Sequence, residues 1–232
     1  MKIENAVALI TGGGTGIGKE TARLITEAGG NAAICGRRKD VIEAAAKDVN
    51  ALPLVGDVGV EADAKRMVDA VVAEFGAYNT LINNAGWGRF GLLQDLQLED
   101  FQQVMQTNVF GAMLMARESA RHFAPNGGGN IINVSSTAGS RGFAGGTAYV
   151  ASKFALGGMT ECWRAELRQH DIRVMQVNPS EVQTGFNGRP EPTDFNPTKL
   201  VAEDCAHLIV SLVTLADRGF VTDATLWATN PK

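Results

Sequence analysis

Short apolar runs alternate with helix-length amphipathic segments along this chain. Runs rich in apolar and β-branched residues predict strands at Ala6–Thr11, Asn31–Gly36, Ala51–Val55, Thr80–Asn83, Asn130–Val134, Arg173–Asn178 and Ala224–Ala228. The segments between them predict helices at Gly16–Ala28, Asp40–Val49, Glu61–Phe75, Leu98–Phe123, Thr147–His170 and Lys199–Leu215. Apolar strands separated by helices form parallel sheets that are covered on both faces. The pattern therefore predicts an α/β fold, a doubly wound parallel sheet of about seven strands.

The chain shows no composition shift, linker or internal repeat that would divide it. A length of 232 residues suits one large α/β domain, so we expect a single domain over residues 1–232. The segment 185–197 is irregular because it contains three prolines and two glycines, which cannot continue a helix or a strand. It is either a surface loop or a lid over a site, since it follows a strand directly.

Charge and cysteine content exclude several classes of function. A formal net charge of −4 argues against a nucleic-acid partner. Three scattered cysteines, Cys35, Cys162 and Cys205, indicate a reducing compartment, and we expect a cytoplasmic protein. No apolar run reaches the roughly 20 residues that span a bilayer, so no membrane partner is expected. The three histidines lack metal-ligand spacing, and no metal site is predicted.

A glycine-rich turn connects the first predicted strand to the first helix. Glycines let the backbone turn sharply and approach a pyrophosphate, while the helix N-terminus offers free N–H groups to the anion. A plain tight turn is the alternative, but the position between strand and helix favours dinucleotide binding. The residues predicted to contact the cofactor here are Gly12, Gly14, Thr15, Gly16, Ile17 and Gly18.

The spacing Thr11-Gly12-x-x-x-Gly16-Ile17-Gly18 resembles that of the short-chain dehydrogenase/reductase family, in particular its 3-oxoacyl thioester reductases and related carbonyl reductases. The resemblance extends through nearly the whole chain and implies a Rossmann-type catalytic domain. It implies that Asp57 and Val58 contact the adenine. It also implies that Asn84, Ala85 and Gly86 line the cofactor. Four further residues correspond to the family's catalytic set, namely Asn108, Ser136, Tyr149 and Lys153.

Tyr149 and Lys153 lie four residues apart, so they share one face of a helix. A free tyrosine has a pKa of about 10, and a neighbouring ammonium group favours the phenolate and lowers that pKa. We therefore predict that Tyr149 is the general acid/base and that Lys153 tunes it. Taken alone, the pair would fit an ordinary helix surface equally well, and the surrounding motifs favour the catalytic interpretation. The resemblance implies that both residues also contact the cofactor.

Ser136 follows the strand Asn130–Val134, which places its hydroxyl in the ligand crevice of an open α/β sheet. There it would hydrogen-bond the substrate carbonyl. The neighbouring Ser135 is the rival and is expected to be structural. Asparagine is unfavourable inside a helix, so a cap or a bend is one explanation for Asn108. The resemblance implies instead that Asn108 holds a water in a proton relay to Lys153.

The segment Asn178–Thr184 resembles the family's loop beside the nicotinamide, which implies cofactor contacts from Pro179, Val182 and Thr184. Ser180 stands where the family has glycine. A serine there would be strained if the position required a positive φ. This departure puts the contacts of Val182 and Thr184 in doubt.

The end of the second strand decides which nicotinamide cofactor is expected. NAD-preferring Rossmann sites carry an acid there, which binds the ribose 2′-hydroxyl. Gly36 occupies that point, and Arg37 follows it, able to pair with a 2′-phosphate. Arg38 either assists or is simply solvated. The prediction is therefore NADP(H), with NAD(H) as the alternative.

The predicted activity is hydride transfer between NADP(H) and a carbonyl or secondary alcohol. A 3-oxoacyl thioester is the first candidate substrate, and small 3-hydroxy acids or other alcohols are the second. A silent nucleotide sensor is the alternative from another class. The following residues either line the substrate pocket, which would then be apolar with one cation, or are ordinary packing residues: Trp87, Arg89, Phe90, Phe143 and Phe186. Arg117, Arg121 and His122 form either a docking surface for an acidic carrier protein or a solvated helix face. The resemblance implies a homodimer or homotetramer built on Leu98–Phe123 and Thr147–His170.

Overall fold

The computed structural model describes residues 1–190 and 192–230. Its strands are β1 (Val7–Thr11), β2 (Asn31–Gly36), β3 (Leu52–Val55), β4 (Thr80–Asn83), β5 (Gly129–Val134), β6 (Ile172–Pro179), β7 (Val182–Gln183), β8 (Leu200–Val201) and β9 (Asp223–Leu226). Its α-helices are α1 (Gly16–Glu27), α2 (Lys39–Asp48), α3 (Glu61–Phe75), α4 (Leu98–Met105), α5 (Ala112–Phe123), α6 (Thr147–Leu167) and α7 (Ala202–Thr214). Within this described part, no helix has the length and apolar character needed to cross a bilayer.

Seven strands form one parallel sheet in the order β3-β2-β1-β4-β5-β6-β9. This is the doubly wound Rossmann-type fold that the alternation of strands and helices predicts. The chain leaves β1 toward β2 and β3, and then returns to build the other half from β4 onward. Ligands of such sheets bind at this switch point, outside the carboxyl ends of the strands. The topology thus places the segments after β1, β2, β4 and β5 around one crevice.

Alternate residues of the central strands face two separate cores. On one face, Ile10, Ile34 and Ile132 pack with Ile25 of α1 and Ile209 of α7. On the opposite face, strand residues pack with residues of α3 and α5. The strand residues include Leu9, Leu81, Ile131 and Val174, and the helix residues include Met67, Met115 and Phe123. Because both faces are covered, strand residues of either parity are apolar, which explains the continuous apolar runs in the sequence.

The structure differs from the predicted elements in two places. The predicted helix Leu98–Phe123 is interrupted, because a π-helical segment at Gln106–Gly111 separates α4 from α5. The predicted helix start at Lys199 was wrong, since Leu200 and Val201 pair with Val182 and Gln183 as the short ribbon β7–β8 before α7 begins. The tertiary pairing that forms this ribbon is long-range and leaves no periodic pattern in so short a run.

Candidate active site

The turn after β1 requires glycine for two physical reasons. Gly12 and Gly16 have φ values of +63° and +52°, in the left-handed region that favours glycine. A Cβ atom on Gly12 would also lie 2.9 Å from the backbone Cα of Ala85. Gly18, in the first turn of α1, is constrained by packing, because its Cβ would lie 2.6 Å from Asn84 Nδ2. The turn therefore follows a path that brings backbone N–H groups to the edge of the sheet.

The turn after β4 is hydrogen-bonded to the turn after β1. The hydroxyl of Thr11 accepts hydrogen bonds from the backbone N–H groups of Asn84 (3.0 Å) and Ala85 (2.9 Å). The Asn84 side chain donates to the carbonyl groups of Thr11 (2.9 Å) and Gly12 (3.1 Å). Asn83 donates to Asn133 Oδ1 across the sheet at 3.0 Å. These bonds join the two halves of the sheet at the switch point.

A cleft of about 390 Å³ opens between these turns. Most of the predicted cofactor residues line it, namely Gly12, Gly14, Thr15, Gly16, Ile17, Arg37, Arg38, Asp57, Val58, Asn84, Ala85, Gly86 and Thr184. The residues fit a dinucleotide: the N-terminus of α1 and the glycine turn face one part of the cleft, and side chains after β2 and β3 border another. A Cβ on Gly14 would lie 2.9 Å from Val41 Cγ1, so this wall too is closely packed.

Five predicted cofactor residues lie outside the lining of this cleft, namely Gly18, Tyr149, Lys153, Pro179 and Val182. Gly18 packs behind the turn instead. The prediction missed lining residues that flank its motifs, namely Cys35, Val41, Ile42, Gly56, Thr107, Gly185, Asn187 and Gly188. Gly36, singled out for the choice of nicotinamide, and Trp87 and Phe186, expected in the substrate pocket, also line this cleft. Proximity to the motifs was the only sequence signal for most of them. The contribution of Val41 and Ile42 depends on how α2 packs on the turn.

The Arg37 guanidinium is mostly free for a ligand. Its Nη1 lies 3.9 Å from Asp57 Oδ2, a long contact between partly exposed groups. Exposed pairs of this kind contribute about 0–1 kcal/mol, so the contact holds Arg37 near the cleft without neutralising it strongly. Arg38 precedes α2 as its N-cap residue and also lines the cleft.

Tyr149 and Ser136 are brought together from α6 and from the loop after β5. Ser136 lies close enough to the Tyr149 hydroxyl to act on it as a hydrogen-bonding partner, which lowers the pKa of the phenol. Ser136 Oγ also accepts a hydrogen bond from the Ala138 backbone at 3.1 Å, which orients the hydroxyl. Ser135 is buried, and its Oγ has no hydrogen-bond partner among the described residues. Ser136, rather than Ser135, is therefore the serine beside the phenol.

Lys153 lies one helical turn after Tyr149, and it is buried. Its Nζ donates to the Val134 carbonyl at 2.9 Å and lies 5.6 Å from the centre of the Tyr149 ring. Burial lowers the pKa of Lys153 to about 8. Burial also raises the pKa of Tyr149, and the hydrogen bond with Ser136 opposes that shift only in part. The expected lowering of the Tyr149 pKa was therefore wrong for the chain's own groups, because burial disfavours the phenolate more than Ser136 stabilises it.

Asn108 lies in the π-helical segment Gln106–Gly111, which interrupts the predicted helix. Its side chain is buried and fully engaged. It donates to the Trp87 carbonyl (2.8 Å) and to Ser152 Oγ (2.9 Å), and it accepts from the Trp87 N–H (2.8 Å). Asn108 and Lys153 nevertheless converge, because a Cβ on Gly86 would lie 3.6 Å from Asn108 Oδ1 and 3.8 Å from Lys153 Nζ.

The irregular segment 185–197 is held at both ends, and its residue Glu191 lies outside the described residues. At its start, Asn187 adopts a φ of +64° and clamps Gly88: it accepts from the Gly88 N–H (2.8 Å) and donates to its carbonyl (2.7 Å). At its base, the Gln183 side chain exchanges two hydrogen bonds with the Asn196 backbone. Ser180 is not in the positive-φ region, so its replacement of glycine causes no backbone strain.

The predicted cations are engaged with other groups. Arg89 Nε donates to Asp100 Oδ2 at 2.9 Å. On α5, Arg117 and Arg121 pair with Glu118 at 3.0 and 2.8 Å, and Arg117 also contacts Glu61. These pairs favour the solvated-face interpretation of the α5 cluster.

Comparison with known proteins agrees with this architecture. A sequence profile described as short chain dehydrogenase matches residues 6–194. The chain belongs to the short-chain dehydrogenase family. The match includes the glycine turn, the turn after β4, and the positions of Ser136, Tyr149 and Lys153.

Several characterised and uncharacterised members of the short-chain dehydrogenase family resemble the chain. The 3-oxoacyl-(acyl-carrier-protein) reductase FabG of Thermotoga maritima is 34% identical over 189 residues, 79% of this chain and 77% of that protein. The NADP-dependent 3-hydroxy acid dehydrogenase of Schizosaccharomyces pombe is 31% identical over 242 aligned positions, 97% of this chain and 93% of that protein. The oxidoreductase YxnA of Bacillus subtilis is 33% identical over 194 residues, but the chain spans only 54% of its length.

The fold of the chain matches solved short-chain dehydrogenase structures. The 3-ketoacyl-(acyl-carrier-protein) reductase of Brucella melitensis, solved in complex with NADH, superposes with a TM-score of 0.87. The two sequences are 28% identical, and the superposition covers 96% of each chain. The chain is therefore an oxidoreductase-family protein with a Rossmann-type fold throughout.

Proposed function

We propose that this protein is an NADP(H)-dependent oxidoreductase that interconverts a carbonyl and a secondary alcohol. The observation that carries the proposal is the closeness of the Ser136 and Tyr149 side chains, next to the dinucleotide-sized cleft. The pair is linked to that cleft by Phe186, which lines it and whose ring centre lies 5.9 Å from that of Tyr149. A nucleotide sensor would need the cleft but not this pair.

The chain's own groups suit proton transfer to a carbonyl oxygen. NADPH, when bound, supplies the hydride that reduces the carbonyl carbon. The Ser136 hydroxyl donates a hydrogen bond to the carbonyl oxygen and holds it beside Tyr149. The Tyr149 hydroxyl, kept protonated by its raised pKa, donates the proton. Lys153 and Asn108 approach the same backbone position, Gly86, and we assign them to the resupply of protons behind Tyr149.

Replacement of Tyr149 tests this assignment. We expect Tyr149→Phe to lower kcat for carbonyl reduction by about a thousandfold or more, because the proton donor is lost while the ring remains. NADPH binding, followed by its fluorescence, should stay within about threefold of wild type, since Tyr149 lies outside the lining of the cleft. A Tyr149→Phe enzyme with near-normal turnover would show that another group supplies the proton.

The preference for NADP(H) over NAD(H) is supported by Gly36, Arg37 and Arg38, which border the cleft with no acid at the end of β2. Arg37→Asp should reduce kcat/KM with NADPH about a hundredfold, because a carboxylate repels the 2′-phosphate. It should also raise the ratio of kcat/KM with NADH to kcat/KM with NADPH, because the carboxylate accepts a hydrogen bond from the ribose hydroxyl of NADH. Arg38→Asp is the comparison variant that decides whether Arg38 assists. A wild-type enzyme that used both cofactors equally would contradict the preference.

A 3-oxoacyl thioester is our first candidate substrate, supported by the likeness to FabG. Small 3-hydroxy acids are the second, supported by the relative from Schizosaccharomyces pombe. Oxidation of NADPH by a panel of ketones and 3-oxoacyl thioesters, and reduction of NADP+ by 3-hydroxy acids, tests both. Silence across the panel would favour a nucleotide-sensing protein.

We further propose a homodimer or homotetramer that packs through α5 and α6, in the cytoplasm. Exposed phenylalanines support the interface, because Phe110, in the π-helical segment before α5, and Phe154 on α6 are 47% and 48% exposed. The unpaired cysteines Cys35, Cys162 and Cys205 support a reducing compartment.

A further inference from the structure

Two phenylalanine rings pack against the ring of Tyr149, and a third packs against one of those two. The ring centre of Phe90 lies 5.5 Å from that of Tyr149, and the ring centre of Phe186 lies 5.9 Å from it. Phe143 extends the group, since its ring centre lies 6.2 Å from that of Phe90. The rings come from the loops after β4, β5 and β7, so the fold collects them from three distant parts of the chain. We call Phe90, Phe143 and Phe186 the phenyl wall.

The phenyl wall is exposed although it borders a partly buried group. Phe90, Phe143 and Phe186 are 44%, 51% and 37% exposed, respectively. When an apolar group of a ligand covers exposed aromatic surface, both are removed from water, and this burial favours binding. Such surface beside a reactive group is therefore suited to hold an apolar part of the substrate. Isolated exposed rings are common on protein surfaces, but Phe90 and Phe186 both pack against the Tyr149 ring and Phe143 packs against Phe90, so the three rings form one apolar surface.

The backbone is built closely against these rings. A Cβ atom on Gly88 would lie 3.0 Å from the Phe90 ring and 3.2 Å from the Phe186 ring. On Gly146 it would lie 2.7 Å from the Phe143 ring. Glycine at both positions lets the rings lie against the main chain, where they are held in place. The wall is thus present before a substrate arrives, and little side-chain entropy is lost on binding.

Two of the three cations near the phenyl wall are already engaged. Arg89, beside Phe90, is paired with Asp100 at 2.9 Å. Arg141, near Phe143 in sequence, stacks over the Trp227 ring at 5.2 Å. Arg189, three residues after Phe186, is exposed to solvent. A carboxylate placed on the wall near Phe90 and Phe143 would lose its hydration, and neither Arg89 nor Arg141 is free to pair with it, which is unfavourable.

We propose that the phenyl wall is the specificity site of the enzyme and that it receives an uncharged apolar group, an aromatic ring or an extended alkyl chain, attached to the carbonyl carbon. The proposal rests on the proposed carbonyl chemistry and narrows its substrate class. For a 3-oxoacyl thioester, the group on the wall is the acyl tail, so long tails are preferred to short ones. A 3-hydroxy acid with its carboxylate directed to the wall is excluded.

A set of methyl ketones tests the proposal, with a methyl, hexyl, phenyl or carboxyethyl group as the second substituent. Burial of several carbon atoms predicts kcat/KM values for the hexyl and phenyl ketones about tenfold or more above those of the methyl and carboxyethyl ketones. In Phe90→Ala and Phe143→Ala, the ratio of kcat/KM for the phenyl ketone to kcat/KM for the methyl ketone should fall about tenfold. Phe195→Ala is the matched control, because Phe195 is 46% exposed in the segment 185–197 but outside the wall, and its ratio should match wild type.

A binding measurement separates failure of this inference from failure of the proposed activity. Benzamide, which carries a phenyl ring but is not reduced, is titrated into the enzyme saturated with NADP+ and followed by calorimetry. Binding that weakens about tenfold in Phe90→Ala, but not in Phe195→Ala, supports the wall even if no ketone turns over. Ketone reduction with equal kcat/KM for phenyl and carboxyethyl ketones overturns it, as does binding that is indifferent to Phe90.

Discussion

Burial acts on Tyr149 and Lys153 in the same sense, because it favours the neutral form of each. The pKa of Tyr149 is raised, and that of Lys153 falls to about 8. At neutral pH the phenol keeps its proton, while the lysine is near its titration range. The lysine nitrogen is also directed to the Val134 carbonyl at 2.9 Å. In carbonyl reduction, a protonated phenol is the form that is needed at the start of each turnover.

Titration of Lys153 predicts a pH dependence of stability. The ammonium is penalised in the folded chain, where its pKa is about 8, but not in the unfolded chain, where it is near 10.5. Between these values the unfolded chain binds more protons, so stability rises with pH across this window. Relative to Lys153→Met, wild-type protein should gain roughly 3 kcal/mol of unfolding free energy from pH 7 to above pH 10.

Urea unfolding of both proteins across this range measures the difference between their pH dependences. The comparison cancels groups that titrate in both proteins. Parallel curves for the wild type and Lys153→Met would mean that Lys153 keeps an ordinary pKa in the folded chain.

Two asparagines on separate elements hold consecutive residues of the loop after β4. Asn108, on the π-helical segment, clamps the backbone of Trp87, and Asn187, after β7, clamps that of Gly88. Each asparagine side chain accepts a hydrogen bond from the backbone N–H of the loop residue and donates one to its carbonyl, as a neighbouring strand would. The loop that carries Phe90 is therefore fixed between the interrupted helix and the segment 185–197. π-helical segments are frequent at functional sites, and here the segment aims a side chain that a regular helix would direct elsewhere.

Loss of the Asn187 clamp should loosen the segment 185–197. We expect Asn187→Gly to raise KM for the carbonyl substrate about tenfold with little change in the free energy of unfolding, because two hydrogen bonds in one mobile element are lost. Glycine tolerates the φ of +64°, so the variant removes the bonds without adding strain.

Amide hydrogen exchange at residues 185–190 reports the loosening directly. Asn187→Ala serves as the comparison, since it removes the same bonds but keeps a Cβ at positive φ. Exchange rates and KM values like those of wild type in Asn187→Gly would show that the clamp does not hold the segment.

At the scale of the molecule, the reversal of strand order beside β1 gathers the functional segments. The glycine turn, the turn after β4 and the loop after β5 lie far apart in the chain, and the parallel sheet brings their carboxyl ends to one crevice. On the side of the molecule formed by α5 and α6, Phe110 and Phe154 remain exposed. Phenylalanine at such positions is costly in a monomer and is typical of a buried interface.

A charge at this surface should disrupt the assembly. We expect Phe154→Asp to shift the sedimentation coefficient toward the monomer at micromolar concentration, because a carboxylate buried in an apolar interface loses its hydration. Phe195→Asp, which changes an equally exposed ring elsewhere, should keep the wild-type coefficient. A wild-type chain that sediments as a monomer would contradict the proposed dimer or tetramer, and an intact Phe154→Asp assembly would move the interface away from α6.

Local patterns were enough to predict the sheet, the glycine turn and the positions of Ser136, Tyr149 and Lys153. The positions of the strands follow from runs of apolar residues, and the glycine turn follows from the backbone freedom of glycine. Both can therefore be predicted from residues that are adjacent in the sequence. The ribbon β7–β8, the clamps of Asn108 and Asn187 and the contact of Val41 with the cleft were not predictable. Each depends on which distant segment the fold places alongside, as the separation of 99 residues between Gly88 and Asn187 illustrates.

The amino-acid order by itself determined the fold class, the family and the residue types available for the chemistry, since these follow from periodicity and from motifs of adjacent residues. Only the tertiary structure decided the directions in which the pKa values of Tyr149 and Lys153 shift, and the apolar nature of the phenyl wall. Desolvation depends on what packs around a group, so the spacing of Tyr149 and Lys153 alone pointed to the wrong direction for the Tyr149 pKa. The same packing paired Arg89 with Asp100 and placed Phe90 and Phe186 against the Tyr149 ring, with Phe143 beside Phe90, so residues scattered along the chain form one apolar surface.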